Sequence, residues 1–207
     1  KKSNGVYIHQ VKIESGVVSV GDTLTLAIDK QRRAAIKRNH SAAHLLQAAL
    51  RAVLGTHVEQ SGQFVNEFAV RFDFTHFSAM TDEEIAKVEA FVNTAVLDAI
   101  AVENVEMPIE EAKKLGAMAL FGEKYGDVVR VVEMGDASME FCGGTHLDNT
   151  AKVGSFRLVS EGSVASGVRR IEAVVGNEAQ LAMMNDREKL RVAAATLKTN
   201  PDMLCGR

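Results

Sequence analysis

The chain has 207 residues, of which 46% are hydrophobic and 25% are charged, and its formal net charge is −3 at pH 7. This composition is typical of a soluble globular protein, and no apolar run approaches the roughly 18 residues of a membrane span, so we expect no membrane association. The two cysteines lie far apart in the sequence, which excludes a disulfide framework and favours a reducing, cytoplasmic location.

The first part of the chain alternates apolar and polar side chains. Turn signals occur at Glu14-Ser15-Gly16 and Val20-Gly21-Asp22. Residues 6–28 are therefore predicted to form two or three short antiparallel strands. The chain begins without a methionine and ends soon after Pro201, and we expect it to be a piece of a longer protein.

Residues 32–54 change to helical spacing, with Leu45, Leu46 and Leu50 in one apolar stripe. At about 100° per residue, His40 and His44 fall on roughly the opposite face of this helix. The two histidines are thus predicted to point away from the helix's own core stripe.

The rest of the chain mixes strands and helices without a regular alternation. Strands are predicted over residues 63–74, 104–107, 128–133, 155–159 and 168–175. Helices are predicted over residues 82–100, 109–115 and 178–197. This order favours an α+β fold over a doubly wound parallel sheet.

Two short pairs of residues predict a metal site. His40 and His44 stand four residues apart, and Cys142 and His146 repeat that spacing about a hundred positions later. Positions i and i+4 of a helix lie on one side, so both histidines can reach one ion. The intervening Gly143-Gly144 lets the backbone turn tightly enough to aim the second pair inward. Three imidazoles and a thiolate suit Zn²⁺, whereas solvated histidines and a buried cysteine are the simpler alternative for either pair alone.

The kind of zinc site stays open at this point. Zinc metalloproteases with this histidine spacing carry Glu directly after the first His, and the chain has Ser41 there, which argues against a protease. Four ligands fit a closed structural site, while a catalytic site keeps one position open for water or substrate. Both remain possible from the residues alone.

The segments HSAAH, GTHVEQSGQFV and FCGGTHLDNTAKVGSFRLVSEGSVASGVRRIEAVVG resemble the editing region of the bacterial alanyl-tRNA synthetases, and the resemblance covers nearly the whole chain. It implies a Zn²⁺ site made of both pairs and the hydrolysis of Ser-tRNA(Ala) and Gly-tRNA(Ala). It also implies an editing core of the threonyl/alanyl-tRNA synthetase second-additional-domain type. We assign residues 1–31 to part of a β-barrel module, 32–176 to the editing core and 177–207 to a helix that leads to a missing domain.

The resemblance also implies partners. These are the acceptor end of tRNA(Ala) carrying Ser or Gly and the other domains of the parent ligase, whose ATP-binding aminoacylation domain has no counterpart in this sequence. Two alternatives remain: a non-catalytic tRNA-binding module with a structural zinc, and a free-standing editing hydrolase.

Three residues are candidates for catalysis or specificity. Serine exceeds alanine by one hydroxyl, so a site that spares alanine must require a hydrogen bond to that hydroxyl. We favour Gln60 for this role, which the resemblance also places in the editing pocket. Glu140 is a candidate to orient water or a ligand histidine, and Lys124 to contact the terminal adenosine or stabilise charge on the ester oxygen. The simpler alternative for each is a solvated loop residue.

The net charge of −3 does not exclude RNA binding, because local patches decide phosphate contact. Basic residues cluster over residues 30–38 and again at Arg169 and Arg170. We predict tRNA contacts at Arg38, Arg169 and Arg170, with ordinary solvated faces as the alternative.

Overall fold

The computed structural model describes residues 2–3, 6–119 and 125–206 of the chain. The strands are β1 (Lys2–Ser3), β2 (Val6–Tyr7), β3 (Gln60–Val65), β4 (Val70–Thr75), β5 (Glu103–Pro108), β6 (Val128–Met134), β7 (Ser138–Phe141), β8 (Phe156–Ala165) and β9 (Val168–Val175). The helices are α1 (Lys30–Leu54), α2 (Asp82–Leu97), α3 (Ile109–Lys114) and α4 (Gly176–Thr196), with short 3-10 helices at Thr150–Val153 and Pro201–Gly206. The strand ladders are antiparallel, which confirms the α+β class. No helix in the described ranges is long and apolar enough to cross a membrane.

The prediction of several strands before the first helix was wrong for most of that segment. Only Val6–Tyr7 forms a strand, paired with Lys2–Ser3, and residues 8–29 contain no helix or strand. Their apolar side chains, such as Val11, Val17 and Leu26, are exposed. An alternating pattern forms strands only where a surface exists to cover its apolar face, and the described part of this chain provides none.

Helix α1 is the central element of the fold. Asp29 caps its first turn by accepting a hydrogen bond from the Arg32 amide, and the helix ends at Gly55, whose φ is +118°. The leucine stripe, including Leu45 and Leu50, lies in the main core. The opposite face is also covered, since α1 contacts β7 as well as α2 and the four-stranded sheet.

A four-stranded sheet in the order β3-β4-β9-β8 forms one wall of the core. Val70, Phe72 and Phe74 alternate inward along β4, and Ile171 and Ala173 do so along β9. The hydrophobic side chains of this inner face pack against α1.

A three-stranded sheet, β5-β6-β7, carries the second half of the predicted metal site. Strand β7 was missed in the sequence analysis, which predicted no strand between residues 133 and 155. The Ala137 amide donates to the Met134 carbonyl in a tight turn, and β7 then pairs back onto β6. Cys142 follows this strand directly, so its backbone position is set by the sheet.

Candidate metal centre

The four predicted ligands come together in the structure. One donor atom each from His40, His44, Cys142 and His146 lies within 4.8 Å of the others. The Cys142 Sγ atom is 3.2 Å from Nε2 of His146 and 3.6 Å from Nε2 of His40. A tetrahedral zinc with bonds of roughly 2.0–2.3 Å separates its ligand atoms by roughly 3.3–3.8 Å. The residues present therefore fit zinc after a small inward movement.

Arg130 fixes the backbone that carries the thiolate. The Cys142 amide donates to the Arg130 carbonyl at 2.9 Å, and Arg130 Nε donates back to the Cys142 carbonyl at 3.0 Å. The same guanidinium also donates to the Gly144 carbonyl. The Gly144 amide in turn points at Cys142 Sγ, 3.5 Å away, and favours its ionised form. Sequence reasoning missed Arg130, because only the strand pairing brings it to this loop.

The two glycines between Cys142 and His146 differ in their surroundings. A Cβ atom on Gly144 would lie 2.0 Å from Cε1 and 2.5 Å from Nδ1 of His40, so no side chain fits there. A Cβ atom on Gly143 would meet nothing within 4 Å. Gly144 thus lets the loop reach α1, while Gly143 is exposed and faces open space.

His44 is oriented by a buried carboxylate. Its Nδ1 atom lies 2.8 Å from Oε2 of Glu140, and both side chains are less than a tenth exposed. Ser138 Oγ donates to the other carboxylate oxygen of Glu140 at 3.0 Å. A carboxylate on Nδ1 leaves Nε2 of the imidazole free for an ion, which is the usual arrangement around zinc-bound histidines.

Ser41 contacts the ring nitrogen of His146 that does not face Cys142. The Nδ1 atom of His146 is 3.3 Å from Ser41 Oγ, and this buried oxygen accepts a hydrogen bond from the Leu147 amide at 3.1 Å. When Nε2 serves as the ligand atom, Nδ1 carries the proton and donates to Ser41. From the sequence, Ser41 was used only as an argument against a metalloprotease. Its position directly after His40 was the one signal that could have indicated a contact with the metal site.

The charges of the cluster suit a metal. Burial alone would raise the pKa of Cys142, but hydrogen bonds from His146, His40 and His44 outweigh it and lower that pKa to about 3. Burial lowers the pKa of His146 to about 4. Burial also opposes protonation of His44, yet Glu140 and the thiolate raise its pKa to about 10. These pKa values favour the thiolate of Cys142 and the neutral form of His146 at neutral pH, the forms in which these residues bind metal, whereas His44 must release its proton to solvent when a metal binds.

The catalytic candidates lie in different places. Gln60 is the half-buried first residue of β3, opposite Phe74, and the register shifts between Gln60 and Gly62. Such a bulge changes the direction of the side chains beside it. Glu140 lies in the cluster itself, as described above, and Lys124 lies outside the described residues.

The three arginines predicted to contact RNA also differ. Arg169 makes a bidentate pair with Glu161, with N–O distances of 2.5 and 2.6 Å, and Arg170 makes one with Asp73, with both distances 2.7 Å. Their charges are therefore balanced inside the sheet. Arg38 has no ion pair within the described ranges. Contact of all three with RNA remains a prediction.

Comparison with known proteins connects this site to a family. A family profile described as the threonyl and alanyl tRNA synthetase second additional domain matches residues 129–172, which include Glu140, Cys142 and His146. The alanine–tRNA ligase of Acetivibrio thermocellus is 57% identical over 202 residues, which are 97% of this chain and 23% of that protein. Alanine–tRNA ligase 1 of Lachnoclostridium phytofermentans is 54% identical over 207 residues, 100% of this chain and 24% of that protein.

A third relative agrees with these two. The alanine–tRNA ligase of Bacillus cytotoxicus is 49% identical over 201 residues, which are 97% of this chain and 23% of that protein. The chain therefore spans about a quarter of the length of the curated relatives it matches.

Proposed function

We propose that this chain, which matches one segment of the alanine–tRNA ligases and carries the second additional domain of the threonyl and alanyl tRNA synthetases, hydrolyses wrongly charged tRNA with the help of zinc. The substrates are Ser-tRNA(Ala) and Gly-tRNA(Ala), and the function is exercised as part of a longer ligase in the cytoplasm. The observation that carries the proposal is the four-donor cluster, part of which lies in the residues matched by the family profile.

Zn²⁺ is the ion that this donor set favours. His40, His44, Cys142 and His146 would hold it, because one thiolate with three imidazoles suits zinc better than magnesium or calcium, which prefer oxygen ligands. When bound, zinc supplies Lewis acidity beside the ester carbonyl of the substrate.

The reaction needs only water as its second reactant. The water oxygen adds to the carbonyl carbon of the ester, and the bond from that carbon to the ribose oxygen breaks. The ribose oxygen takes up a proton, which leaves a free amino acid and an uncharged tRNA. Glu140 acts here as a positioning residue for His44, since its carboxylate already lies 2.8 Å from that imidazole.

Selectivity depends on what the site requires of the amino acid. An apolar aminoacylation pocket rejects serine by only about a hundredfold, and glycine enters any site that accepts alanine. The editing site must hydrolyse the serine ester and spare that of the smaller alanine, so size cannot separate these two amino acids. Glycine has no hydroxyl, so its hydrolysis does not depend on a hydrogen bond to the side chain. We assign to Gln60 the hydrogen bond to the serine hydroxyl, supported by its place at a strand bulge.

Serine release from Ser-tRNA(Ala) tests this function. We expect metal-dependent release by the wild-type chain and at least a hundredfold slower release by Cys142→Ala, which removes the thiolate ligand. Cys205→Ala is the matched control and should keep wild-type activity. No metal-dependent release by the wild-type chain, assayed at saturating tRNA, would overturn the proposal.

The same variants address a second candidate, a tRNA-binding module with a structural zinc. Its support is the burial of His44 and His146, since closed sites are typical of structural zinc. In that case Cys142→Ala unfolds the chain, because metal binding and folding are then coupled. A folded but inactive Cys142→Ala, judged by circular dichroism, favours the hydrolase.

A further inference from the structure

A polar cavity lies against α1, at residues that directly precede the candidate metal ligand His40. Its volume is about 90 Å³, and it is bounded by α1, by the turn between β3 and β4, and by the first turn of α4. Its polar lining consists of Arg38, Asn39, Glu67, Asn177 and Glu178. None of these residues belongs to the zinc cluster.

One part of this cavity favours negative charge. Helix α4 has 21 residues, and its N-cap, Val175, offers no side-chain hydrogen bond to the first turn. The Gly176 amide donates to the Ser155 carbonyl, which leaves the first-turn amides of Asn177 and Glu178 as the available donors. Uncapped amides at a helix start, together with the helix dipole, attract a phosphate.

The Arg38 guanidinium is available to the same group. It has no hydrogen bond or ion pair with the part of the chain that the structure describes. Its Cδ atom lies 3.6 Å from the position that a Cβ on Gly176 would take, so its aliphatic part already packs against the start of α4. Arg38 and the first-turn residues Asn177 and Glu178 therefore line the same cavity.

Asn39 points to a second requirement of the ligand. Its side chain is buried, and its Nδ2 donates to the Asn66 carbonyl at 2.9 Å, which fixes the orientation of the amide. Its Oδ1 atom is buried and has no hydrogen-bond partner in the described ranges. A buried acceptor without a donor lowers the stability of the fold. A ligand that places a hydroxyl or an amine in the cavity would supply the missing hydrogen bond to this oxygen.

The two carboxylates of the cavity limit the kinds of ligand that can bind there. Glu67 is paired with Arg32 at 2.9 Å, but Glu178 keeps an acceptor at the cavity wall. A bare anion would accept hydrogen bonds from Arg38 and the α4 amides. It would donate none to Asn39 Oδ1 or to the Glu178 carboxylate. A ribose phosphate offers a negative charge and hydroxyl donors side by side.

We propose that this cavity binds one ribose–phosphate unit of an RNA strand, with the phosphate on Arg38 and the α4 amides and a 2′-hydroxyl donating to Asn39 Oδ1. The choice of RNA rests on the proposed function. Asn39 directly precedes the ligand His40 on α1, and the basic residues Lys30, Arg32, Arg33 and Lys37 occupy the preceding turns. A strand bound here is led along α1 toward the metal centre.

Binding of an RNA hairpin with a single-stranded 3′ end, followed by fluorescence anisotropy over a range of salt concentrations, tests the site. We expect Arg38→Gln to weaken binding about three- to tenfold and to reduce the slope of log K against log salt by about 1. Arg191→Gln on α4 makes the same charge change away from the cavity, where Arg191 pairs with Glu188, and should bind like the wild type. Equal affinity and slope for Arg38→Gln and the wild type would overturn the proposal.

A DNA hairpin of the same sequence tests the hydroxyl contact without any change to the protein. We expect the wild-type chain to bind the RNA hairpin several-fold tighter than the DNA hairpin; equal binding overturns the role given to Asn39. Steady-state hydrolysis of Ser-tRNA(Ala) separates this inference from the proposed function. Arg38→Gln should raise KM and leave kcat unchanged. Absence of hydrolysis combined with Arg38-dependent RNA binding would refute the hydrolase alone, whereas hydrolysis indifferent to Arg38 would refute the cavity alone.

Discussion

Gly144 packs so closely against the ring of His40 that the two residues leave no room for a side chain between them. We expect Gly144→Ala to push His40 away from Cys142 and to lower the bound zinc well below one ion per chain. Gly143→Ala is the matched control, because open space surrounds that position and neither glycine has a positive φ. Metal analysis by mass spectrometry after dialysis gives the stoichiometry. Full zinc occupancy in Gly144→Ala would contradict the close packing.

Glu140 should control zinc affinity through His44. In Glu140→Gln the carboxylate that faces His44 Nδ1 becomes a neutral amide, so we expect zinc affinity to fall about 10- to 100-fold while the chain stays folded. Competition with a chromophoric chelator measures this affinity. Glu133→Gln on β6, outside the cluster, should bind zinc as the wild type does. An unchanged affinity in Glu140→Gln would remove the positioning role.

Gln60 should affect the two substrates unequally. If its amide bonds to the serine hydroxyl, Gln60→Ala slows hydrolysis of Ser-tRNA(Ala) by about tenfold or more and slows Gly-tRNA(Ala) much less, since glycine has no hydroxyl. The ratio of the two kcat/KM values is the quantity to compare. Gln63→Ala on the same strand is the control. A parallel loss for both substrates would indicate a role in tRNA binding or folding instead.

The pair between Asp73 and Arg170 should make stability depend on pH. Two hydrogen bonds from the Arg170 guanidinium hold the pKa of the Asp73 carboxyl below its ordinary value. Because the folded pKa is the lower one, the pair stabilises the fold above the ordinary value of about 3.9, and this contribution disappears as the pH falls through the folded pKa.

We therefore expect Asp73→Asn to melt below the wild-type temperature at pH 7, and this difference to shrink as the pH is lowered from about 4 toward about 2. Thermal unfolding followed by circular dichroism between these pH values measures the difference, and Asp202→Asn near the end of the chain serves as the control. A constant difference across the range would show that Asp73 acts through packing.

The sequence predicted those elements whose signals are local. The predicted helix 82–100 is observed as Asp82–Leu97. Its start was predictable because Thr81 and Glu84 form a capping box, a pattern that is visible in the sequence. The predicted strand 128–133 is observed as Val128–Met134, because a short segment rich in valine is typical of a strand that packs into the core. The two residue pairs that meet in the candidate metal centre were found for the same reason, because the spacing within each pair is a local pattern.

Features that depend on partners distant in sequence were not predicted. Strand β7 contains Ser138 and Glu140 and lacks a strong apolar alternation; it forms because β6 offers a pairing edge. Arg130 reaches the Cys142 loop only through that pairing. For residues 8–29 the opposite error occurred: the alternating pattern predicted strands, but none forms, because no surface in the described part of the chain covers the apolar side chains.

The origin of the ligands in two distant segments has a consequence for biosynthesis. At about 5–20 residues per second, the ribosome delivers Cys142 roughly 5–20 s after His40, since about a hundred residues separate them. A zinc finger, by contrast, gathers its ligands from one short stretch and can load its ion as soon as that stretch emerges. If this chain binds zinc as proposed, all four ligands are present only after translation of the segment that ends at His146, so metal binding cannot nucleate the folding of α1.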